Sequence, residues 1–396
     1  MHEANDIRAR EFDADETSDS IEDGGFLDVP LRRSDFLAGA GKFGIGALGL
    51  SAFAGFAPAA LGAARLSRAS QTKALTIAMI ENQSGPYYTD NFEKPMRAYL
   101  AKNAPTWNAT FGNENNSLPT GVQLFNQYGA ANDAAMILLS AQPITGYVPS
   151  AKKFQGGGGI LINHSTSALG GANQNVMFSH KQAGVGIGTS AVAWAKKNNI
   201  QPVVALIGDL TDAQPKKRTT WAWNTIKAAF PNAQLVGQVE GIDQPTGATA
   251  AANLLSAHPN INILITFDGP AGLGALTSAS QAGKKDPNSF YIGVTDQEVQ
   301  TLDIVSKGGS IMQSNWGVFF AASAIMCVRD ILKAYAGQKI PPVRLLFGES
   351  LDTPAKAASF NTIAFNPTDP KYAYVFTKYN KYLDTPVGTD QVPPGQ

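Results

Sequence analysis

Short apolar runs alternate with longer amphipathic segments along most of the chain. Each run has the length of a buried strand and contains few polar positions, as strands covered on both faces by helices require. The runs predict strands at residues 74–80, 108–111, 135–139 and 160–162, and then, after 176–178, at 203–207, 235–239, 261–267, 290–294 and 311–313. The pattern restarts after residue 178, so the strands fall into two successive groups.

The segments between the strands repeat apolar residues at helical spacing. They predict helices near residues 92–100, 120–126, 148–154, 183–197, 221–230, 247–257, 273–279 and 318–335. Strands that alternate with helices of this length form parallel sheets through right-handed crossovers. We therefore expect an α/β fold with two doubly wound parallel-sheet lobes. The residues from 341 onward, rich in proline, asparagine and threonine, are expected to form a last hinge crossing and an irregular wrap.

The first 69 residues differ in composition from the rest of the chain. Residues 3–28 are acidic and polar, which predicts disorder. Arg32 and Arg33 then precede an apolar run at 36–64 that is rich in glycine and alanine and ends in small residues. This arrangement indicates an export signal and resembles a twin-arginine signal. A membrane anchor is the alternative, because a run of this length can span a bilayer.

Composition and motif spacing argue against several function classes. The 31 basic and 31 acidic residues give a formal net charge of zero, so nothing predicts nucleic-acid binding. The one cysteine, Cys327, excludes a disulfide framework, and the four histidines lack metal-ligand spacing. Gly184, Gly186 and Gly188 fall inside a helical pattern, so they do not form a dinucleotide-binding motif. We expect no catalysis, no cofactor and no metal; an exported enzyme is the weaker alternative.

Two segments carry a resemblance to a known family. Residues 253–284 read as a helix that ends in a His-Pro turn, a short apolar strand, the polar residue Asp268, and a helix that contains Gly-Ala-Leu and closes with Ala-Gly-Lys. The loop at 84–88, after the first strand, contains Pro-Tyr-Tyr. Both segments are similar to the type I periplasmic sugar-binding proteins, the ribose- and galactose-binding group. The order of elements is similar over about residues 75–338.

The resemblance implies two lobes that are joined by a three-crossing hinge, with a ligand cleft between them. The implied crossings lie near residues 178–180, 313–316 and 345–348. The implied domains are the tail and export signal at 1–69, an N-terminal lobe at 74–178 plus 316–345, and a C-terminal lobe at 179–315 plus 346–392.

A sugar offers hydroxyl groups and two apolar faces, so a selective site needs aromatic rings and polar side chains that make paired hydrogen bonds. The resemblance places such groups on loops after strand ends and near the hinge. The implied ligand-binding residues are Tyr87, Tyr88, Asn163, His164, Arg218, Trp221, Asp268, Asp296 and Asn315. Asn163 and His164 stand where the family carries an Asp-Arg pair, which argues against ribose as the ligand.

The implied function is the capture of a sugar or polyol in the periplasm. A monomer would close over its small-molecule ligand and deliver it to an ABC transporter permease in the membrane, with no bond made or broken. A subunit that presents its bound ligand to a membrane sensor would show the same sequence features, and this is the alternative function.

Overall fold

The computed structural model describes residues 75–131, 134–140, 142–164, 167–210, 213–346 and 348–364. The export signal predicted at 1–69, with Arg32 and Arg33, lies outside these residues. The described residues form two six-stranded sheets, each covered by helices. The predicted α/β class and the two doubly wound lobes are therefore confirmed.

The strands closely follow the apolar runs of the sequence. In chain order they are β1 (Leu75–Glu81), β2 (Trp107–Asn113), β3 (Ala135–Leu139), β4 (Ile160–His164), β5 (Gln174–Phe178), β6 (Val203–Gly208), β7 (Gln234–Glu240), β8 (Ile263–Thr266), β9 (Tyr291–Val294), β10 (Met312–Val318), β11 (Val343–Leu346) and β12 (Gly348–Leu351). The first sheet has the order β11-β5-β4-β3-β1-β2, and the second has the order β12-β10-β9-β8-β6-β7. Every pairing is parallel except that of β10 with the edge strand β12.

The helices occupy the crossovers between these strands. In chain order they are α1 (Lys94–Asn103), α2 (Leu118–Ala130), α3 (Val148–Gly156), α4 (His180–Lys197), α5 (Ala213–Ala229), α6 (Gln244–Ala257), α7 (Gly269–Gln281), α8 (Val299–Lys307), α9 (Phe320–Tyr335) and α10 (Pro354–Ala364). A short helical stretch (Pro86–Tyr88) and a π-helical turn (Thr89–Glu93) precede α1. Among the described helices, none combines the length and the apolarity that a membrane crossing requires.

Three crossings join the lobes. We call the first sheet with its helices lobe 1 and the second sheet with its helices lobe 2. The chain passes from β5 to α4 at 178–180, from β10 to α9 at 318–320, and from β11 to β12 at 346–348. The first and third crossings lie where the sequence predicted them.

The predicted position of the second crossing, 313–316, is wrong. Strand β10 stays in the second sheet up to Val318, where Asn315 pairs with Val294 of β9 and Val318 pairs with Gly348 of β12. Residues 316–318 therefore belong to lobe 2 and not, as predicted, to lobe 1. Trp316 is 5% exposed and packs in the core, so a short polar-looking segment continues a buried strand.

The sequence also missed several short elements. The irregular wrap predicted after residue 341 is wrong for Pro354–Ala364, which form α10. This helix packs against α8, which was not predicted either. Phe360 of α10 is 1% exposed, and its ring centre lies 4.5 Å from that of Phe319 at the second crossing, with the two rings tilted by 42°. An apolar anchor every few residues is enough to hold such a helix, although its overall composition is that of a loop.

Helices α4 and α5 pack against each other without a gap. Gly184 lies inside α4, as the sequence predicted, and a side chain there would collide with the backbone oxygen of Arg218 and come within 2.7 Å of Trp221 Cβ. The absence of a side chain lets the two helix backbones approach closely. This contact fixes the position of the helix that carries Arg218.

Candidate functional site

The loops at the carboxyl ends of β1 and β9 face each other across the gap between the lobes. Tyr87 in the loop after β1 lies within electrostatic range of Asp296 and Glu298, which follow β9. Tyr88 is in range of Glu298 as well. We call this gap, lined by these four residues and by Arg218, the interlobe cleft. It lies at the carboxyl ends of parallel strands, where open α/β sheets bind ligands.

Aromatic rings line the lobe 1 side of the interlobe cleft. Tyr87 makes an edge-to-face contact with Tyr88 at 5.1 Å and another with Phe320 at 5.8 Å, and both tyrosines lie 6.4 Å from the ring of Phe92. The side-chain amide of Asn91 donates to the Tyr87 carbonyl at 2.9 Å and fixes the turn. Such a cluster presents apolar surface with two phenol groups, the combination that covers a sugar face.

Arg218 is the central cation on the lobe 2 side. Its Nε donates to His180 Nδ1 at 3.0 Å, and one terminal nitrogen donates to the Phe267 carbonyl at 2.9 Å and lies 3.3 Å from Asp296 Oδ2. The guanidinium also stacks over the Phe178 ring, 4.3 Å from its centre. A buried, forked guanidinium held in this way is preorganised for polar ligand atoms. Because Phe178 and His180 flank the first crossing, Arg218 connects the cleft to the hinge.

Three carboxylates stand on two neighbouring loops of lobe 2. Asp268 caps α7 and accepts the Ala271 N–H at 2.9 Å. Asp296 accepts the Gln297 N–H at 2.8 Å and pairs with Arg218. Glu298 begins α8, and its chain lies so close to Gly269 that a side chain at that glycine would collide with it. The two loops therefore present their carboxylates side by side.

Burial perturbs the protonation of these carboxylates. It raises the pKa of Asp268 well above its ordinary value, and nearby Asp296 adds to the effect. It also raises the pKa of Asp296, although Arg218 opposes the shift. The pKa of Glu298 rises to about 7 because of burial first and the charge of Asp296 second. Clustered perturbed carboxylates in a cleft mark a candidate binding site.

Trp221 lies one helical turn after Arg218 on α5. Its ring is half-buried, and the Lys181 ammonium sits 4.4 Å from the ring centre. This cation–π contact joins α5 to the first turn of α4. The structure therefore places Trp221 on the same helix as Arg218, against the first turn of α4 and next to the hinge.

Two predicted contacts are fully buried. Asn163 is 0% exposed, and its amide donates to the Ser167 carbonyl at 2.9 Å and to Asn175 Oδ1 at 2.8 Å. Asn315 is also 0% exposed, and its amide donates to the Thr301 carbonyl at 3.1 Å. The structure thus uses both amides to hold loops and strands inside each lobe, and it does not bring them to the cleft surface.

His164 lies beneath the aromatic cluster and is 4% exposed. Its Nε2 is 2.8 Å from Ser323 Oγ, and its ring meets Phe92 edge-to-face at 5.4 Å and lies 6.3 Å from Phe320. Burial lowers the pKa of His164 to about 4, so the imidazole is neutral at physiological pH. It supports the rings of the cluster from behind.

Sequence reasoning missed Glu81 and Glu298. Glu81 ends β1 and is 3% exposed, and its Oε1 has no hydrogen-bond partner among the described residues. Burial, and then the charge of Glu93, raises the pKa of Glu81 to about 8. The sequence did contain a signal for Glu81, because an acidic residue directly follows the apolar run of the first strand. A buried carboxylate at a strand end is costly unless a ligand or a partner compensates it.

No group of His, Cys, Asp and Glu in the described part of the chain has the arrangement of a metal site. Polar and aromatic side chains line the interlobe cleft. It can accept several hydrogen bonds at its carboxylates, donate through one guanidinium, and cover an apolar ligand face with tyrosines.

The two-lobed fold with a cleft between the lobes is that of a binding protein that closes over a small ligand. Residues 78–338 match the family of periplasmic binding protein domains, and the chain belongs to this family. No curated protein matches the sequence.

Solved structures share the fold at low sequence identity. A solute-binding protein of an ABC transporter from Bacillus halodurans, with bound myo-inositol, is 16% identical with a TM-score of 0.64, covering 74% of this chain and 99% of that one. A periplasmic counterpart from Actinobacillus succinogenes, with bound D-allose, is also 16% identical, with a TM-score of 0.64 and coverages of 72% and 99%. A Mycobacterium smegmatis protein in complex with β-D-fucofuranose is 17% identical, with a TM-score of 0.65 and coverages of 76% and 97%.

Proposed function

We propose that this protein captures a sugar or polyol in the interlobe cleft and releases it to an ABC transporter permease. The observation that carries the proposal is the pairing of Arg218 with Asp296 opposite the Tyr87 and Tyr88 rings. Charged hydrogen-bonding groups suit the hydroxyls of a sugar, and the rings suit its C–H faces. The sugars and the inositol bound by the similar structures support this ligand class.

In this proposal the ligand contacts are Tyr87 and Tyr88 from lobe 1 and Arg218, Asp268 and Asp296 from lobe 2. Trp221 borders the site. His164 supports the aromatic cluster, and Asn163 and Asn315 shape the loops and strands around the cleft. The three crossings act as the hinge, and closure of the lobes removes the bound ligand from water.

The proposal includes export to the periplasm, because the protein must bind its ligand outside the cytoplasmic membrane. The Arg32-Arg33 pair and the apolar run at 36–64 support export, and the doublet supports the twin-arginine route. The protein would act as a monomer that docks on the permease. A fusion of residues 1–69 to a reporter tests this part: export that is lost on Arg32→Lys with Arg33→Lys supports the route, and unchanged export contradicts it.

A thermal-shift panel of pentoses, hexoses, polyols and amino acids tests the ligand class. A ligand that binds only the folded state raises the melting temperature by mass action. We expect a sugar or polyol to raise it in the wild type and in Asp303→Asn, an exposed change on α8, but not in Asp296→Asn, which breaks the pair with Arg218. A shift with an amino acid and none with a sugar or polyol would overturn the proposal.

A further inference from the structure

We propose that the ligand carries a positive charge, and that it is an amino-substituted sugar or polyol whose ammonium group binds the carboxylates of the interlobe cleft. This inference rests on the proposed function and narrows its substrate class. It comes from the balance of acidic and basic side chains at the cleft and from one buried carboxylate oxygen that has no hydrogen-bond partner among the described residues.

Carboxylates outnumber cations around the cleft. Asp268, Asp296 and Glu298 lie on adjacent loops of lobe 2 and act on one another electrostatically. Arg218 is the cation among them, and its described contacts are with Asp296, His180 and the Phe267 carbonyl. Asp268 is stabilised in part by the N–H of Ala271 at the start of α7 and by the charge of Arg218, yet its pKa stays raised. In the contacts described above, one guanidinium therefore stands beside three acidic side chains.

Other nearby cations point to different partners. The Lys181 ammonium lies over the Trp221 ring at 4.4 Å. The Lys94 ammonium, on the lobe 1 side, binds Asp90 at 2.6 Å, and its side chain is 70% exposed. Among the described contacts, neither ammonium pairs with Asp268 or Glu298. Acidic side chains therefore outnumber the cations that contact them at the cleft, and these two lysines do not change that balance.

Glu81 adds an independent observation from the opposite lobe. Its side chain is 3% exposed, and Oε1 has no hydrogen-bond partner among the described residues. Its charge acts on the phenol of Tyr88, and the charge of Glu298 acts on the same phenol. The two carboxylates, one from each lobe, therefore both lie within electrostatic range of the Tyr88 phenol.

Glu114 also acts on Tyr88 but differs in its bonding. It is 0% exposed, and its carboxylate accepts hydrogen bonds from Ser140, at 2.7 Å, and from Tyr147. Its acceptor atoms are occupied inside lobe 1. The contrast with Glu81 shows that the fold can satisfy a buried carboxylate next to a strand end, whereas Oε1 of Glu81 has no partner among the described residues.

An ammonium group fits these observations better than a further hydroxyl. It has three donors and one positive charge, so it can bridge a carboxylate of each lobe and offset their repulsion. A neutral hydroxyl donates a single hydrogen bond and brings no positive charge to stabilise the ionised form of these carboxylates. Tyr87 and Tyr88 can in addition receive the cation against their ring faces. The remaining hydroxyls of the ligand would bind Arg218 and Asp296.

Calorimetric titration of matched ligands tests the inference. The probes are glucosamine, galactosamine, mannosamine and 1-amino-1-deoxysorbitol, each beside its neutral parent glucose, galactose, mannose or sorbitol. We expect at least one amine to bind about tenfold more tightly than its parent, the ratio that one charge-assisted hydrogen bond provides. Glu81→Gln and Glu298→Gln should each reduce this ratio, whereas Asp303→Asn, an exposed carboxylate paired with Lys307, should preserve it.

Parents that bind as tightly as their amines, or more tightly, would overturn the inference and leave the proposed function intact. The absence of binding by every amine and every parent would overturn the inference as well. If, in addition, no sugar or polyol raises the melting temperature in the thermal-shift panel, the proposed function is contradicted as well. Circular dichroism of each variant separates a lost contact from a failure to fold: a folded Glu81→Gln variant that keeps the full preference for the amine contradicts the role of Glu81.

Discussion

At the scale of single residues, Arg218 combines a ligand-facing charge with contacts to the hinge. Two different nitrogens of its guanidinium donate hydrogen bonds to His180 and to the Phe267 carbonyl, and the group also forms an ion pair with Asp296. Only the planar fork of arginine can hold these directions at once. The sequence predicted Arg218 from its position in the family pattern, but the pattern could not show the hinge contacts, because they join segments far apart in the chain.

Arg218→Lys should weaken sugar binding by about 3 kcal/mol, because one ammonium cannot replace the forked contacts and leaves buried partners unsatisfied. The measurement is a calorimetric titration with a sugar that gives a thermal shift. Lys216→Ala, an exposed change two residues earlier on α5, is the matched control and should bind as the wild type does. Equal affinity of Arg218→Lys and the control would contradict the central position of Arg218.

Glu81→Gln should change the pH dependence of stability. The pKa of Glu81 is raised from 4.5 to about 8, so between these values the folded state keeps a proton that the unfolded chain has lost. The wild type therefore loses stability from this group as the pH rises through that window, and glutamine does not. We expect the variant to gain about 2 kcal/mol relative to the wild type between about pH 4.5 and about pH 8.

Urea unfolding of both proteins at several pH values across this window measures the difference. Asp303→Asn is the control, since its carboxylate is exposed and should give no comparable gain. A difference between Glu81→Gln and the wild type that stays constant with pH would contradict the buried, unpaired state of Glu81.

At the scale of elements, the pair of helices α4 and α5 determines where Arg218 stands. Replacement of Gly184 by alanine would force the backbones apart, because the added carbon collides with the Arg218 carbonyl oxygen. We expect Gly184→Ala to lose about 1–3 kcal/mol of unfolding free energy. It should also weaken ligand binding, since α5 carries the guanidinium.

Gly156→Ala is the matched control for this change. Gly156 is the last residue of α3, and an added carbon there meets no atom within 4 Å. Denaturant unfolding and calorimetry of both variants make the comparison. A Gly184→Ala protein that is as stable as Gly156→Ala and binds ligand as tightly would contradict the close packing of the two helices.

The strands also show how much of the fold could be predicted from the sequence. Strands such as β3 and β6 were predicted nearly to the residue, because strands covered on both faces leave continuous apolar runs. Strand β10 was predicted too short, since Ser314 and Asn315 interrupt its pattern although both are 0% exposed. The Ser314 hydroxyl bonds to the Tyr291 hydroxyl, and the Asn315 amide nitrogen donates to the Thr301 carbonyl, both inside the lobe. The hydrophobic periodicity of a segment cannot reveal such hydrogen bonds, because the partners come from other strands and loops.

In the candidate site, too, the sequence predicted the position of each residue along the chain but not the tertiary partners of its side chain. Tyr87, Tyr88, Arg218 and Asp296 meet at the cleft because each stands on a loop or helix start that the fold brings to the strand ends. Asn163 looked equivalent in sequence, yet its amide turns into lobe 1 toward Ser167 and Asn175. A strand-end position predicts the edge of the sheet, but the direction of the side chain depends on tertiary partners.

At the scale of the whole molecule, two similar lobes share three crossings, and their facing strand ends form the cleft. Phe178, Phe319 and Phe320 lie at the crossings and pack into the core, so the hinge is an apolar cluster and not a loose linker. Such a hinge favours a rotation of whole lobes over local unfolding. Ligand binding should therefore change the distance between the lobes and leave each lobe intact.

The most direct measurement of this account is the lobe-to-lobe distance with and without ligand. Lys152 on α3 and Lys285 after α7 are both exposed, so spin labels on Lys152→Cys with Lys285→Cys report on the two lobes, while the native Cys327 is buried. We will call the sugar, polyol or amino sugar with the largest thermal shift the test ligand. Pulsed electron–electron double resonance should show a shorter and narrower distance distribution when this ligand is added. The same ligand should leave the distribution of the Arg218→Lys protein unchanged. Identical distributions with and without saturating ligand in the wild-type background would contradict capture by closure of the interlobe cleft.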